Sequence, residues 1–411
     1  MRRSSILGFK RGEMAQHPKN IYLFLLVLLL WLPLAQMKIP MVPTPPLLGI
    51  RQSDLEPLPS VNLSSIFSGS FQTKFERWFS QNFGFRNHLI KTYNQILYSL
   101  FKESPTSGVG EGLILGEEKQ IYGIDDIRSF IQLSQPFARD KMQAIGSALA
   151  ELQGLLRKKG ITFIVLLTPN KATLYPEYLP HSLRHISKYG ENENYEIYRA
   201  TLAKYKINTV DGVQILKSIK EESVYPLFPR GGFHWNDLGA FYVLRELMAK
   251  IEELTNQRLV HLTLNGIHVD HNGHGSDMDA GNTLNLWFPP VDFPCPRILL
   301  TRVEAPNTFK PRILFEGGSY NWILLGLLQK FRIPSELSAL FYYTSYINYQ
   351  EPKPDNRLIE RIDWDVDIFG REVIVFEINP IRYTDKVGEL GQGFIQDTLA
   401  KLKNLGQKTK F

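Results

Sequence analysis

The sequence predicts an α/β fold, a parallel sheet covered by helices on both faces, preceded by an N-terminal membrane anchor helix. Three observations predict it. Short β-branched and apolar runs at 161–168, 207–210, 313–316 and 373–378 show no in–out alternation. Strands buried on both faces read this way. Helical stretches separate them, at about 192–205, 236–255, 320–331 and 389–404. Strands that alternate with helices pair in parallel under two helical layers. Finally, an uncharged and almost wholly apolar run, 21–35, stands ahead of the body.

The anchor is read from its flanks. Arg2, Arg3, Lys10, Arg11 and Lys19 precede the run with Glu13 as the only acid, and Lys38 closes it. A full span needs about 20 residues, and this one is short and interrupted by Pro33. Leu34-Ala35-Gln36-Met37 lacks the paired small residues of a cleavage site, so an uncleaved anchor is expected. The positive-inside rule keeps the basic tail in the cytoplasm and sends the rest outward. The expected domains are a cytoplasmic tail (1–20), a transmembrane signal anchor (21–37), a Pro-rich stalk (38–60) and a body (61–411). Within the body, 256–310 is irregular and reads as an insertion or cap.

Composition narrows the function. The 411 residues are 43% hydrophobic, enough for a large core. A net charge of +6 with no basic stripe argues against a nucleic-acid partner. A single cysteine, Cys295, excludes an intrachain disulfide and a Cys-based metal site. His261, His271 and His274 gather around Asp270 at no standard ligand spacing, so neither metal nor cofactor is expected.

In the body, 71–101 reads helical from Phe75, Trp78, Phe79 and then Leu89, Tyr93, Ile96, Leu97, Leu100, with a break at Asn82-Phe83-Gly84-Phe85-Arg86. Residues 104–124 are Gly-rich, and 126–159 form a second helical stretch that ends on basic residues and Gly160. Ligands of such sheets bind beyond the carboxyl ends of the strands. The segments there are Pro169-Asn170-Lys171, Asp211, Gly317-Gly318-Ser319 and Asn379-Pro380. Two glycines permit a tight turn into a helix, whose free amides can hold an oxyanion above Ser319. His234, in Gly231-Gly232-Phe233-His234-Trp235-Asn236-Asp237, supplies a candidate base. Asn170 can donate an amide to an oxyanion, and Lys171 can hold an anionic sugar or its own loop. N-capping, turn and core roles are the ordinary alternatives for each of these residues.

In order along the chain these features resemble the alginate O-acetyltransferase AlgJ/AlgX-like group of SGNH hydrolase-like proteins. The resemblance rests on Phe83-Gly84-Phe85-Arg86, Pro169-Asn170-Lys171 with Tyr175-Pro176, His234-Trp235-Asn236, Ser276-Asp277-Met278 and the Gly-Gly-Ser-Tyr turn at 317–320. It implies a flavodoxin-like three-layer sandwich. It also implies serine-based acetyl transfer to an extracytoplasmic polysaccharide, on the bacterial inner membrane facing the periplasm or outside. The implied partner is a multi-spanning membrane acyltransferase that supplies the acetyl group. Ser319 would be the nucleophile and His234 its base. Asn170, Lys171, Gly318, Trp235 and Tyr320 would line the oxyanion or substrate site, with Trp322 a further sugar platform.

Two departures stand out. The family pattern has aspartate two residues before the histidine, where this chain has Gly232, and Gly-Asp-Ser at the nucleophile, where it has Gly318. Asp211, Asp237 and Asp277 are the candidate replacements for the orienting acid. An acetylesterase, or a non-catalytic polysaccharide-binding or scaffold subunit, are the competing expectations.

Overall fold

The computed structural model describes residues 16–49, 55–105, 112–131, 139–184, 193–349, 355–379 and 386–408. Its contacts divide into two compact units, Met1–Phe101 with Asn285–Phe288, and Lys102–Leu284 with Pro289–Phe411. Residues 61–101 therefore group with the N-terminal helix and not with the body.

The larger unit is built on a seven-stranded sheet. Its strands are β1 (Thr162–Leu167), β2 (Thr209–Asp211), β3 (Arg312–Gly317), β4 (Glu336–Phe341), β5 (Ser345–Asn348), β6 (Asp355–Leu358) and β7 (Val373–Ile378). The spatial order is β6-β5-β4-β3-β7-β1-β2. The five strands from β4 to β2 pair in parallel. β5 and β6 extend the edge antiparallel. The four runs read as doubly buried strands are β1, β2, β3 and β7, each within a residue or two of its expected bounds.

Alternate residues of each strand feed opposite cores. Ile164, Leu166, Ile313, Phe315, Val373 and Val375 pack with Leu238, Val243 and Leu247 of a helix at Asp237–Thr255 and with Leu324 and Leu328 of a helix at Asn321–Lys330. Phe163, Val165, Leu167, Leu314, Ile374 and Phe376 face the other way. They meet Leu149, Leu152 and Leu156 of Arg139–Lys158, Tyr198 and Leu202 of Glu193–Lys204, and Phe394 of Lys386–Lys408. Each large aliphatic side chain so buried contributes about 1.5–3 kcal/mol, which two-sided burial doubles per length of strand. The sandwich expectation holds at the level of three layers and a mostly parallel sheet. A flavodoxin-like sheet runs 2-1-3-4-5. In chain order the parallel strands here run 2-1-5-3-4, and counted from β3, which carries the Ser319 turn, they run 2-1-3-4-5, the same arrangement entered at a different strand. The doubly hydrophobic 373–378 run fits an interior slot, whereas the edge is occupied by shorter strands.

The 256–310 region is ordered by a long antiparallel hairpin, His261–Asp270 with Cys295–Val303, kinked by a bulge between Leu264 and Gly266. Between its strands, two short turns at Gly275–Met278 and Gly281–Leu284 flank Asp279.

The smaller unit is helical: α1 (Gln16–Lys38), α2 (Leu63–Phe67), α3 (Ser70–Asn82) and α4 (Arg86–Ile96), the last running into a π-turn at Leu97–Phe101. No helix or strand occurs in the described residues 39–49 and 55–62, which carry Pro40, Pro43, Pro45, Pro46, Pro57 and Pro59. The Phe83–Arg86 break has a steric cause. Gly84 lies so close to α1 that a Cβ there would stand 2.0 Å from the Pro33 carbonyl oxygen. Phe85 then takes a left-handed turn, φ 64°, into α4. At the end of α1 the Gln36 side chain accepts from the amides of Met41 and Val42 and donates to the Val42 carbonyl, closing orphaned polar groups.

Candidate functional site

β3 delivers the serine. Gly317 adopts φ 148°, and a Cβ there would meet Glu377 Oε2 at 2.6 Å, so only glycine turns the chain at this point. Ser319 follows, one residue before Tyr320, which leads the helix Asn321–Lys330. His234 arrives from the loop before Asp237–Thr255, whose N-cap is Asn236. Its Nε2 lies 2.6 Å from Ser319 Oγ. Its Nδ1 lies 2.5 Å from Asp279 Oδ2. The other oxygen, Asp279 Oδ1, accepts from the Phe233 amide at 2.7 Å and fixes the carboxylate's orientation. The tautomer that satisfies all three groups carries its proton on Nδ1 and leaves Nε2 free to accept from the serine hydroxyl.

Asp279 was not among the expected acids. Asp211 caps the helix Gly212–Glu222, accepting from the amides of Val213 and Gln214, and also accepts from the Tyr195 hydroxyl. Asp237 opens its helix and is held by burial above the usual carboxylate range. Asp277 pairs with Arg297 at 2.6 Å and accepts from the His274 amide. Asp279 stands two residues past Asp277, directly after the Ser276-Asp277-Met278 segment, and that proximity was the available clue. What sequence could not show is why Gly232 is bare. A Cβ there would meet Pro229 Cγ at 2.6 Å, the Ser276 carbonyl oxygen at 2.8 Å and Asp279 Oδ1 at 3.2 Å. The space next to the histidine is filled by a carboxylate from a different loop.

That loop is pinned to the histidine loop twice. The amides of Ala280 and Gly281 both donate to the Gly231 carbonyl. Lys171 supplies the second clamp: its Nζ donates to the carbonyls of Ile121, Pro229, Arg230 and Gly232 at 2.7–3.1 Å. Only 1% exposed, Lys171 cannot reach a sugar, and the expected substrate role is corrected to that of a loop clamp. Burial pulls its pKa well down, against the raising influence of Asp279 and Asp126. Asn170 is likewise no oxyanion donor. It is fully buried, caps the short helix Lys171–Leu174 by accepting from the Thr173 amide, and donates to the Asp126 carbonyl.

Around the serine, the Gly318 amide donates to Glu377 Oε2 at 2.6 Å and is taken. Glu377 also accepts from Thr168, and together these bonds tie the nucleophile turn to β7 and β1. A Cβ on Gly318 would stand 3.1 Å from the Tyr342 ring and 3.4 Å from Glu377 Oε2. An aspartate at position 318 would thus crowd a tyrosine and face a carboxylate. Beneath the turn, burial and then Glu377 hold Glu316 well above its ordinary pKa. The Ser319 amide donates to the Tyr342 hydroxyl at 3.2 Å. Tyr342, on a left-handed backbone at φ 51°, was not anticipated from the sequence.

These groups line a cavity of about 150 Å³, walled by Gly123, Asp126, His234, Ser319, Trp322 and Tyr342 among others. That is the scale of a small acyl group and below the usual 300–1,000 Å³ of drug-sized sites. Trp235, fully buried against Tyr320, is core rather than platform. Tyr320 stacks edge-on against His234 and donates to the Phe233 carbonyl. Trp322 alone of the expected aromatics is open, 55% exposed, with its ring 6.0 Å from His234. Pro380, expected near the site, lies outside the described residues.

Serine, histidine and carboxylate hydrogen-bonded in line at the carboxyl ends of an α/β sheet form the arrangement of serine hydrolases and acyltransferases. Residues 130–271 match the family model described as the SGNH hydrolase-like domain of acetyltransferase AlgX; the match includes His234 and stops before Asp279 and Ser319. A probable alginate O-acetylase, AlgJ of Pseudomonas aeruginosa, is 23% identical over 215 residues, 50% of each chain. The chain thus spans about half the length of that curated relative. Among solved structures it is similar to the O-acetyltransferase domain of Pseudomonas putida AlgJ, with TM-score 0.45 and 17% identity over 72% of this chain and 99% of that one. It is also similar to Pseudomonas aeruginosa AlgX, with TM-score 0.43 and 14% identity over 69% and 67%. These likenesses support an AlgJ/AlgX-like protein.

Proposed function

We propose that the chain is an extracytoplasmic O-acetyltransferase that moves an acetyl group to a polysaccharide hydroxyl through an acetyl-Ser319 intermediate. The observation that carries this reading is the unbroken line Asp279–His234–Ser319 opening onto a pocket of acyl size. The relatives' printed names contribute the acetyl group and the polysaccharide class. The carboxylate beside His234 answers one of the two missing acids, at Gly232 and Gly318, that favour a non-catalytic scaffold.

In the first half-reaction His234 Nε2 takes the Ser319 Oγ proton as Oγ attacks the donor's acetyl carbon. Asp279 remains ionised and steadies the imidazolium. The oxyanion draws on the Ser319 amide and the Tyr342 hydroxyl, which already meet each other at this position. Collapse breaks the bond to the leaving group, which departs with the proton from His234. In the second half a sugar hydroxyl gives its proton to His234 and attacks the acetyl-serine carbon, and the proton returns to Ser319 Oγ. Trp322 offers the acceptor sugar an open ring face at the pocket's edge.

The N-terminal run supports an outward-facing body. Ile21–Lys38 has a mean hydropathy of 1.9 and is 6% buried. In this reading 1–20 stays in the cytoplasm, 21–37 crosses the inner membrane and 38–60 is the stalk. A multi-spanning acyltransferase on the same membrane would supply the acetyl group.

The test is intact mass of the full chain after exposure to a small activated acetyl ester. An acetyl adduct is expected on the wild type and on neither Ser319→Ala nor His234→Ala. A folded wild type that gains no adduct overturns the reading. Product analysis with an oligosaccharide present separates transfer from plain esterase action.

A further inference from the structure

α4 is an amphipathic helix turned inside out. Its apolar residues Leu89, Tyr93, Ile96 and Leu100 recur at the spacing of one helical face and run on through the π-turn. They are 56%, 61%, 45% and 73% exposed. Polar residues of the helix are buried or bonded to the unit's own segment 285–288 instead. Asn94 is buried. Thr92 accepts from the Trp287 indole, Gln95 accepts from the Phe288 amide, and Lys91 lies 5.6 Å over the Trp287 ring. A soluble helix does the reverse, because each exposed apolar side chain forfeits about 1.5–3 kcal/mol of burial.

We propose that this stripe lies in the outer interface of the lipid bilayer, so that α4 is a second, in-plane membrane contact beside the spanning anchor. The inference rests on the anchor reading of α1. Two further observations favour lipid over a protein occupant. First, α4 begins at the end of the anchor: Gly84, two residues before it, is pressed against the Pro33 carbonyl, and α1 ends at Lys38. The helix therefore starts level with the last turns of the span, where a chain leaves the hydrocarbon. Second, from Arg86 to Phe101 the sequence carries Arg86 and Lys91 and no Asp or Glu. A basic, acid-free helix with Leu, Ile, Tyr and Phe on one face matches an interfacial helix on anionic phospholipid headgroups. Phe101 extends the same apolar surface at 62% exposed.

The experiment uses the full chain in vesicles containing anionic phosphatidylglycerol. Its one native cysteine, Cys295, is 1% exposed and its thiol is pushed up to about 12, so it resists labelling and single-cysteine probes need no altered background. Bimane is placed at Tyr93→Cys and Leu100→Cys, with Leu26→Cys in α1 as the reference for the anchor. Bromine on the lipid chains is expected to quench all three, the α4 probes by about half, as suits a helix about 5–10 Å deep. Quenching at 26 with none at 93 and 100 overturns the inference and leaves the anchor standing. The same result with the α4 probes shielded from aqueous iodide assigns the stripe to another protein surface, and also overturns it. Absence of quenching at 26 overturns the anchor reading and this inference with it.

Discussion

Replacing Asp279 by asparagine tests the relay at its least expected member. Asp279 Oδ1 is held by the Phe233 amide at 2.7 Å. In the variant the amide oxygen keeps that position, since it alone can accept. The Nδ2 group then faces His234 Nδ1, where Oδ2 stood at 2.5 Å. An amide NH₂ donates, so the imidazole must accept at Nδ1 and carry its proton on Nε2. Nε2–H faces Ser319 Oγ as a donor and cannot take its proton. In a serine protease the same tautomer inversion costs about 10⁴ in kcat, about 5 kcal/mol of barrier. We expect a loss of that order here in the rate of Ser319 acetylation, with the melting temperature nearly unchanged. Asp279→Ala is expected to be milder than Asp279→Asn, because the carboxylate's side chain is 26% exposed and water can enter to accept from Nδ1. The assay is the single-turnover acetylation rate from an activated ester. A rate for Asp279→Asn within tenfold of wild type refutes the argument, and so does an alanine variant slower than the asparagine one.

Placing an aspartate at 232 by Gly232→Asp is expected not to rescue Asp279→Asn and to lower stability by about 1–3 kcal/mol, read as a lower melting temperature, because its Cβ meets Pro229 and the Ser276 carbonyl oxygen. Tyr342→Phe removes an oxyanion donor and is expected to lower the acetylation rate by about 10²–10³ without changing the pH midpoint of the reaction. For Glu316 the folded pKa is raised, so the native state keeps a proton that the unfolded chain releases near 4.5. Wild-type stability therefore falls as pH rises above that value, by up to about 1.4 kcal/mol per pH unit until the folded group also ionises. Glu316→Gln removes this term, so its stability relative to wild type should rise between pH 4 and pH 7 in denaturant titrations.

The parts of the fold legible beforehand were those with a one-dimensional signature. Four short, largely β-branched or apolar runs without alternation gave β1, β2, β3 and β7, and the helical period broken at Asn82–Arg86 gave α3 and α4. The edge strands β5 and β6 were not anticipated. Half-open strands of four residues leave little pattern, and their existence depends on β4 being there to pair with. The position of β7 between β1 and β3 was equally invisible, because a run of Val and Ile states that it is buried but not between which neighbours. The same limit applied to Lys171 and Asn170. Polar residues after a strand read as ligand groups, and only their burial on four carbonyls and a helix N-terminus reassigns them.

The sequence by itself marked Ser319 and His234 as candidates, since a glycine-framed serine after a buried strand and a histidine before a capped helix are local features, and only the resemblance to the AlgJ/AlgX-like group joined them as a pair. The sequence determined the anchor expectation too, from hydropathy and flanking charge. Only the tertiary structure placed Asp279 against His234 and Tyr342 against the Ser319 amide. Asp279 is 45 residues from His234 along the chain and reaches it because the hairpin insertion folds back over the histidine loop. Tyr342 is 23 residues beyond Ser319 and reaches its amide because β4 lies beside β3. Hydrogen bonds act over about 3 Å of space, and no periodicity in a sequence records which distant residues a sheet and its loops bring to that distance.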